Sequence, residues 1–251
     1  MASDAARLDV EGLTVRFGGV TALDGVDLDV AGGAATGLIG PNGAGKTTLF
    51  DAVCGLQGID RGRILLDGVD ITRVKPSKRA RMGIARTFQR LELFGSMSAR
   101  DNIRVAAEVH RSYTRRAGGS RGNAPDVRAE EILDQVGLRP VADERVDVLP
   151  TGLARLVEVG RALAGEPTLL LLDEPSSGLS GDETDAFASL LDDLTADGLA
   201  ILLVEHDVEL VMRVCHRIHV LDFGRVIAAG TPAEVRSDEL VRAAYLGAAT
   251  A

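Results

Sequence analysis

The chain has 251 residues, of which 45% are hydrophobic and 26% charged, and its formal net charge is −9. This composition is typical of a folded protein with a sizeable core and excludes a disordered chain. The negative charge, the 3% aromatic content and the lack of Trp argue against a protein whose main task is to bind nucleic acid.

The first third of the chain predicts strands that lead into a glycine-rich loop. Apolar clustering between glycine turns favours strands at 8–17, 26–30 and 36–39. A helix is predicted directly after the loop, at 47–54. Residues 63–69 contain Asp-Gly between apolar residues, which is typical of a β-hairpin.

The middle of the chain is richer in charge and in helical spacing. Residues 73–90 contain seven basic side chains and no acidic one, and the favoured interpretation is a solvated surface, with a membrane-facing or acid-binding patch as the alternative. Residues 111–126 are polar and Gly-rich and predict a flexible loop. Helices are predicted on either side of 137–152, at 126–136 and 153–163.

The last third alternates again between strands and helices. Short apolar runs at 168–172 and 200–204 predict buried parallel strands, with an amphipathic helix between them at 183–195. Antiparallel strands are predicted around Phe223-Gly224, and short helices within 232–247. This alternation predicts an α/β fold with a largely parallel sheet, into which a mostly helical segment at about 90–165 is inserted.

Several other protein classes do not fit the sequence. No apolar run reaches about 18 residues, so no membrane-spanning helix is expected. The first seven residues lack the apolar stretch of a signal peptide. Cys54 and Cys215 lie far apart without a C-x-x-C pattern, so neither a disulfide framework nor a zinc site is expected, and a reducing cytosol fits.

The strongest motif is a phosphate-binding loop that follows a predicted strand and opens a predicted helix. Residues 40–47 match G-x-x-x-x-G-K-[ST] in full. Backbone N–H groups of such a loop and the helix amino end bind phosphate. Lys46 is expected to neutralise β- and γ-phosphate oxygens, Thr47 to bind Mg²⁺ through its hydroxyl, and Thr48 to hold an α-phosphate. The predicted loop residues are Gly40, Pro41, Asn42, Gly43, Ala44, Gly45, Lys46, Thr47 and Thr48.

Acidic and imidazole side chains follow two other predicted strands. Asp173 and Glu174 end the run at 168–172, and strand alternation gives them different tasks. Asp173 is expected at the metal, and Glu174 is expected to polarise an attacking water as general base. His206 follows the run at 200–204 on the same edge and is expected to contact the γ-phosphate. His110, His216 and His219 have no comparable context and are interpreted as surface or packing residues.

These motifs, in this order, resemble the ATP-binding subunits of ABC transporters over about residues 8–247. The resemblance implies that Phe17 stacks on adenine and that Gln89, within Arg86-Thr-Phe-Gln89, contacts Mg²⁺ and responds to the membrane partner. It assigns the phosphate loop to ATP, Asp173 and Glu174 to the metal and base positions, and His206 to the switch histidine. Residues 177–180 match the segment that crosses the dimer interface.

The signature of this family, usually Leu-Ser-Gly-Gly-Gln, falls at Leu149, Pro150, Thr151, Gly152 and Leu153. Pro150 replaces the serine whose hydroxyl binds the γ-phosphate of ATP held by the opposite subunit, and Leu153 replaces the glutamine. Gly152 remains, and the following helix can still present N–H groups. Ser180 replaces a common aspartate. An asymmetric dimer, in which one composite site performs most of the turnover, is the hypothesis that these departures raise.

Within the family, the chain is most similar to the ATPase subunits of branched-chain amino acid importers. The residues that carry this resemblance lie at 86–94, 201–207, 230–235 and 244–247. The implied fold is an α/β phosphate-loop NTPase of the ABC ATPase type, as a single domain over 1–251. Its core is expected at about 1–89 and 166–251 with an N-terminal antiparallel β subdomain, and its inserted helical subdomain at about 90–165.

The resemblance also implies partners and a location. Expected are two membrane permease subunits, a second ABC ATPase in a homo- or heterodimer, and, indirectly, an extracytoplasmic solute-binding protein, with no nucleic acid. ATP and Mg²⁺ are the expected ligands, and the expected location is cytoplasmic and peripheral on the inner face of the cell membrane. Apolar residues between Phe88 and Met97 are interpreted as the lining of a groove for a permease helix, or in part as ordinary core.

Three alternatives remain open at this point. A lipopolysaccharide-export ATPase has a similar core. A soluble ABC ATPase for assembly or repair, such as the iron–sulfur assembly type, shares the nucleotide motifs. A phosphate-loop kinase or GTPase outside the family would require Gln89, Gly152 and His206 to coincide by accident.

Overall fold

The structure is a computed structural model that describes residues 6–88, 91–116 and 123–242. Its strands within these ranges are β1 (Ala6–Phe17), β2 (Val20–Ala31), β3 (Ala35–Ile39), β4 (Arg61–Leu66), β5 (Val69–Asp70), β6 (Ile84–Arg86), β7 (Leu169–Asp173), β8 (Ala200–Val204), β9 (Arg217–Asp222) and β10 (Arg225–Gly230). The α-helices are α1 (Lys46–Cys54), α2 (Pro76–Arg81), α3 (Ala99–Arg116), α4 (Pro125–Gln135), α5 (Thr151–Leu163), α6 (Gly181–Ala196), α7 (Val208–Val214), α8 (Pro232–Ser237) and α9 (Glu239–Val241).

A six-stranded sheet forms the centre of the molecule, with strand order β10-β9-β3-β8-β7-β6. Its strands are parallel except for β10, which pairs antiparallel with β9. Every residue of β3, β7 and β8 is buried. These continuous apolar strands are therefore covered on both faces, as the sequence predicts for buried parallel strands.

A second, antiparallel sheet has the order β2-β1-β4-β5 and packs beside the first. Alternating residues of β1 and β2 are buried, and they share one apolar cluster with α1 and with one face of the central sheet. The predicted hairpin is confirmed, because β4 and β5 pair antiparallel across Asp67-Gly68. Asp67 has φ of 50°, as the primed turns require.

Helices α3, α4 and α5, which follow β6 and precede β7 in the chain, pack on one another. The loop predicted at 111–126 is wrong at its start, because α3 continues to Arg116. Polar residues there are tolerated because their hydroxyls bond the helix itself: Ser112 Oγ donates to the Val109 carbonyl and Thr114 Oγ1 to that of His110. Basic residues in the last turn also stabilise the negative end of the helix.

The basic stretch at 73–90 is not uniformly a solvated surface, so that interpretation is wrong for Arg79 and Arg86. Arg79 is 2% exposed, and its guanidinium donates to the carbonyls of Ala52 and Val53 at the end of α1. The Arg86 side chain is 6% exposed and lies between two carboxylates. These two cations fasten α1 to the segment that follows it.

Cys54 and Cys215 are both free. In the described ranges no helix is both long and apolar enough to cross a bilayer.

Candidate functional site

The phosphate-loop motif forms the turn between β3 and α1. Gly45 stands at the N-cap of α1, and within the described ranges no side chain caps this helix. Lys46 is 8% exposed, and its Nζ donates to the carbonyl oxygens of Gly40 at 2.6 Å and Pro41 at 3.0 Å. The ammonium is therefore folded back over the loop, with Thr47 and Thr48 in the first turn behind it.

Asp173 and Glu174 lie where β7 ends. Asp173 is 4% exposed, and burial raises the pKa of its carboxyl while the nearby Arg86 lowers it. Burial lowers the pKa of the Lys46 ammonium, and the charges of Glu174 and Asp173 oppose this shift. The two carboxylates thus act electrostatically on the loop lysine.

Glu174 adopts an unusual backbone conformation with φ of 51°. Left-handed backbone costs a residue other than glycine about 1 kcal/mol or more, and such residues are concentrated at functional sites. The Glu174 N–H donates to the Val204 carbonyl at 2.9 Å, which holds the turn against β8.

His206 follows β8 and meets Glu174 directly. Its Nε2 lies 2.9 Å from Glu174 Oε1, and its side chain is 45% exposed. Strand order places β3, β8 and β7 side by side and parallel, so the phosphate loop, His206 and the acidic pair share one edge of the sheet. The sequence predicts this edge, because the carboxyl ends of parallel strands meet there.

Glu205 is a residue of this site that the sequence interpretation passes over. It is 3% exposed, and its carboxylate accepts hydrogen bonds from the Ser176 N–H at 2.8 Å and the His206 N–H at 3.2 Å. Burial raises its pKa. Glu205 thereby links the segment after Glu174 to His206. In the sequence, its position between a buried strand and the histidine is the one indication of this role.

Arg86, Asp51 and Thr87 are further neighbours that spacing alone does not reveal. The Arg86 guanidinium contacts Asp51 Oδ1 at 2.5 Å and Asp173 Oδ2 at 3.3 Å. The Asp173 N–H donates to Thr87 Oγ1 at 3.2 Å. Asp173 is therefore fixed from the side of β6, whose continuation leads to Gln89; Gln89 itself lies outside the described residues.

Phe17 ends β1 in the antiparallel sheet, at the turn to β2, and is 49% exposed. An exposed aromatic ring at that position offers a free face for stacking.

The signature residues Leu149, Pro150, Thr151, Gly152 and Leu153 form the amino end of α5, in the helical part of the chain. Pro150 is the N-cap residue, and no described side chain caps the helix. A Cβ on Gly152 would lie 2.7 Å from the Gly178 carbonyl oxygen. The signature helix and residues 177–180 are thus packed together. Ser180, where the family often has aspartate, caps α6 through a capping box with Glu183.

The donor set fits a magnesium ion that arrives with a nucleotide. The hydroxyl of Thr47 and the carboxylate of Asp173 are hard oxygen donors, which Mg²⁺ prefers together with phosphate oxygens and water. In the part of the chain that the structure describes, no group of three or more His, Cys, Asp or Glu side chains could hold a metal. Among the described residues, Thr47 and Asp173 would hold the ion, with phosphate oxygens and water as its further ligands.

The chain is similar to known proteins over most of its length. Residues 23–177 match the family model described as ABC transporter, and residues 225–251 match the model described as branched-chain amino acid ATP-binding cassette transporter. The chain is 38% identical over 252 residues to the high-affinity branched-chain amino acid transport ATP-binding protein BraF of Pseudomonas aeruginosa, covering 96% of this chain and 98% of BraF.

Two further similarities bear on the function. The lipopolysaccharide export system ATP-binding protein LptB of Acidithiobacillus ferridurans is 38% identical over 223 residues, covering 88% of this chain and 89% of LptB. A crystal structure of the ADP conformation of an ATP-binding cassette of an ABC transporter superposes with a TM-score of 0.83 at 29% identity, covering 96% of this chain and 99% of that one.

Proposed function

This chain belongs to the ABC transporter family as an ATP-binding, ATP-hydrolysing subunit, and we propose that it drives uptake of branched-chain amino acids through membrane permease subunits. The observation that carries ATP turnover is the 2.9 Å contact between Glu174 and His206, on the sheet edge that also holds the phosphate loop. MgATP is the proposed substrate.

Nucleotide binding is assigned to residues 40–48 and Phe17. The phosphate loop presents backbone N–H groups, and the uncapped amino end of α1 adds its positive dipole. Lys46 leaves the carbonyls of Gly40 and Pro41 for phosphate oxygens, since an ammonium prefers an anion to neutral acceptors. The Thr47 hydroxyl and the Asp173 carboxylate would hold the Mg²⁺ ion, and the Phe17 ring would stack on adenine.

Hydrolysis is assigned to Glu174 and His206. Glu174 orients and polarises the attacking water as general base, an effect worth about 10²–10⁴-fold in rate. His206 contacts the γ-phosphate and positions Glu174. Gln89 is proposed to contact Mg²⁺ and to report on the membrane partner. Preorganised groups of this kind stabilise the transition state without a covalent intermediate.

A second ATPase subunit completes the site. The signature at 149–153 is proposed to face ATP held by the partner, because in this chain it stands on α5 rather than at the sheet edge. Pro150 has no hydroxyl and Leu153 no amide, so this half contributes fewer hydrogen bonds to the partner's ATP. Such a signature fits an asymmetric dimer with a second ATPase, in which one composite site performs most of the turnover.

The permease contact is assigned to the segment from Leu91 to Met97. Leu91, Phe94 and Met97 are 40%, 46% and 38% exposed, and the Arg161 guanidinium covers the Phe94 ring at 5.0 Å. Three exposed apolar side chains within seven residues of the chain make this segment a candidate interaction surface. Two permease subunits, a peripheral position on the inner face of the membrane and an extracytoplasmic solute-binding protein complete the proposal.

Branched-chain amino acids are preferred over lipopolysaccharide because of the carboxyl-terminal region. BraF and LptB are equally identical to this chain, but residues 225–251 match the branched-chain model and BraF is matched over more of its length.

The test is a tagged pull-down from native membranes, with mass spectrometry of all co-purifying proteins. Co-purification of permeases and a second ATPase supports the importer, and the solute-binding protein encoded with them can be screened with leucine, isoleucine and valine. Recovery of only soluble proteins under mild detergent, or of lipopolysaccharide-export components, contradicts it.

A further inference from the structure

Arg86 links two parts of the nucleotide site, and this inference rests on the proposed function. The residue ends β6, and its side chain is 6% exposed. One guanidinium nitrogen contacts Asp51 Oδ1 at 2.5 Å, and another contacts Asp173 Oδ2 at 3.3 Å. Asp51 lies on α1, the helix that begins at the phosphate loop, and Asp173 is the carboxylate assigned to the metal.

Two aromatic rings hold the guanidinium in this place. Arg86 Cζ lies 5.4 Å from the centre of the Phe50 ring and 5.1 Å from that of Phe88. A planar guanidinium can stack on rings and bridge two carboxylates at once, whereas a lysine ammonium is a single point charge. Arg86 therefore stays anchored by Asp51 and the two rings even when its contact with Asp173 is lost.

The contact with Asp173 places a fixed positive charge where a divalent cation has to approach. The Asp173 side chain is 5% exposed, so water screens this interaction poorly. The same carboxylate oxygen cannot serve both cations at full strength. Asp51 works against the contact, because it draws the guanidinium toward α1 and neutralises part of its charge.

We propose that Arg86 is a positioning residue that holds Asp173 in the metal-free protein and, by competing for its carboxylate, sets how strongly Mg²⁺ promotes nucleotide binding. Asp51 tunes that competition from the opposite side. No motif at the phosphate loop or at Asp173 indicates this role, since Arg86 and Asp51 are distant from Asp173 in sequence.

Under this proposal, two substitutions change the Mg²⁺ concentration needed for nucleotide binding in opposite directions. Removing the competing cation with Arg86→Met lowers the Mg²⁺ concentration for half-maximal binding of trinitrophenyl-ATP by about 10-fold, the scale on which neighbours of metal ligands act. Releasing the cation from its other partner with Asp51→Asn strengthens its hold on Asp173 and raises that concentration by about 3-fold or more. The measurement is the nucleotide's fluorescence on the isolated full chain during Mg²⁺ titration, with a parallel titration in EDTA.

Two further variants make the outcome decisive. Arg63→Met removes an exposed arginine that pairs with Glu11 on the antiparallel sheet, and it leaves the Mg²⁺ titration unchanged. Arg86→Lys keeps the charge and falls between wild type and Arg86→Met. Thermal unfolding shows which variants fold; if Arg86→Met does not, Arg86→Lys and the half-exposed Asp51→Asn carry the test.

A purely structural role for Arg86 weakens Mg²⁺-dependent binding in both Arg86→Met and Asp51→Asn, and that result overturns the proposal. Equal titrations for both variants and wild type overturn it as well. If wild type itself binds no trinitrophenyl-ATP, with or without Mg²⁺, the proposed function fails first and this inference fails with it.

Discussion

Gly40 and Gly43 stand three residues apart in the phosphate loop, and alanine at each position separates backbone strain from steric conflict. Both have positive φ, 151° for Gly40 and 82° for Gly43. A Cβ on Gly40 would lie 1.9 Å from the Leu221 carbonyl oxygen, whereas one on Gly43 meets nothing within 4 Å. Both substitutions strain the backbone, but only Gly40→Ala also brings a Cβ against β9, so a larger loss of stability for Gly40→Ala indicates close packing of the loop there.

The expected magnitudes follow from these distances. Gly43→Ala introduces only left-handed strain, about 1–2 kcal/mol. Gly40→Ala adds an overpacking cost of about 1–3 kcal/mol, because a carbonyl oxygen in a buried strand cannot move aside freely. At roughly 2–4 °C per kcal/mol for a chain of this size, Gly43→Ala lowers the melting temperature by about 2–8 °C, and Gly40→Ala by about 4–20 °C.

The assay is thermal unfolding by circular dichroism, repeated with saturating MgATP. Gly40→Ala also shifts the loop backbone whose N–H groups are assigned to phosphate, because its Cβ would lie 1.9 Å from the Leu221 carbonyl oxygen, so it gains less stabilisation from MgATP than Gly43→Ala does. Equal melting temperatures for the two variants would refute the close approach of the loop to Leu221.

Two other predictions concern charge. Lys46→Ala removes the cation assigned to the phosphates and is expected to weaken ATP binding about 10-fold or more, measured by calorimetric titration, with Arg63→Met as the unaffected control; near-normal binding would contradict the assignment. His219 is 2% exposed, and burial lowers its pKa from 6.5 to about 4, with Asp29 opposing the shift and Arg217 adding to it. The unfolded chain therefore binds the extra proton between pH 6.5 and 4, and stability falls as the pH is lowered through that window, by up to about 3 kcal/mol. Urea unfolding at pH 7 and pH 5 should show a smaller difference for His219→Gln than for wild type; an equal difference counts against it.

The sheet edge that carries the candidate site could be predicted from sequence because its signals are local. A glycine-rich loop between strand and helix, two acids after an apolar run and a histidine after the next run each indicate a strand end. The parallel pairing of β3, β8 and β7 then brings them together without further information. The Glu174–His206 contact is a consequence of that pairing.

The interactions of Arg79 and Arg86 could not be predicted in this way. A run of basic residues is ordinarily a solvated surface. Nothing within 73–90 shows that Arg79 binds a backbone carbonyl of α1, or that Arg86 binds carboxylates of α1 and β7. Those partners are distant in sequence and meet only through tertiary packing. The helix at 111–116 was missed for a different reason, because hydroxyls that bond back to the helix make a polar sequence compatible with it.

The proposal that this chain hydrolyses ATP to drive uptake of branched-chain amino acids is tested most directly by measuring transport. The assembled complex is compared with and without Glu174→Gln in this chain. Proteoliposomes that carry the permeases, both ATPases and the solute-binding protein are given labelled leucine, with ATP on the side of this subunit. We expect Glu174→Gln to leave nucleotide binding intact and to lower uptake by about 100-fold, the loss typical of a missing general base, while the surface variant Glu131→Gln transports like wild type. Wild-type uptake with Glu174→Gln, or no ATP-dependent leucine uptake by the wild-type complex, would contradict the proposal.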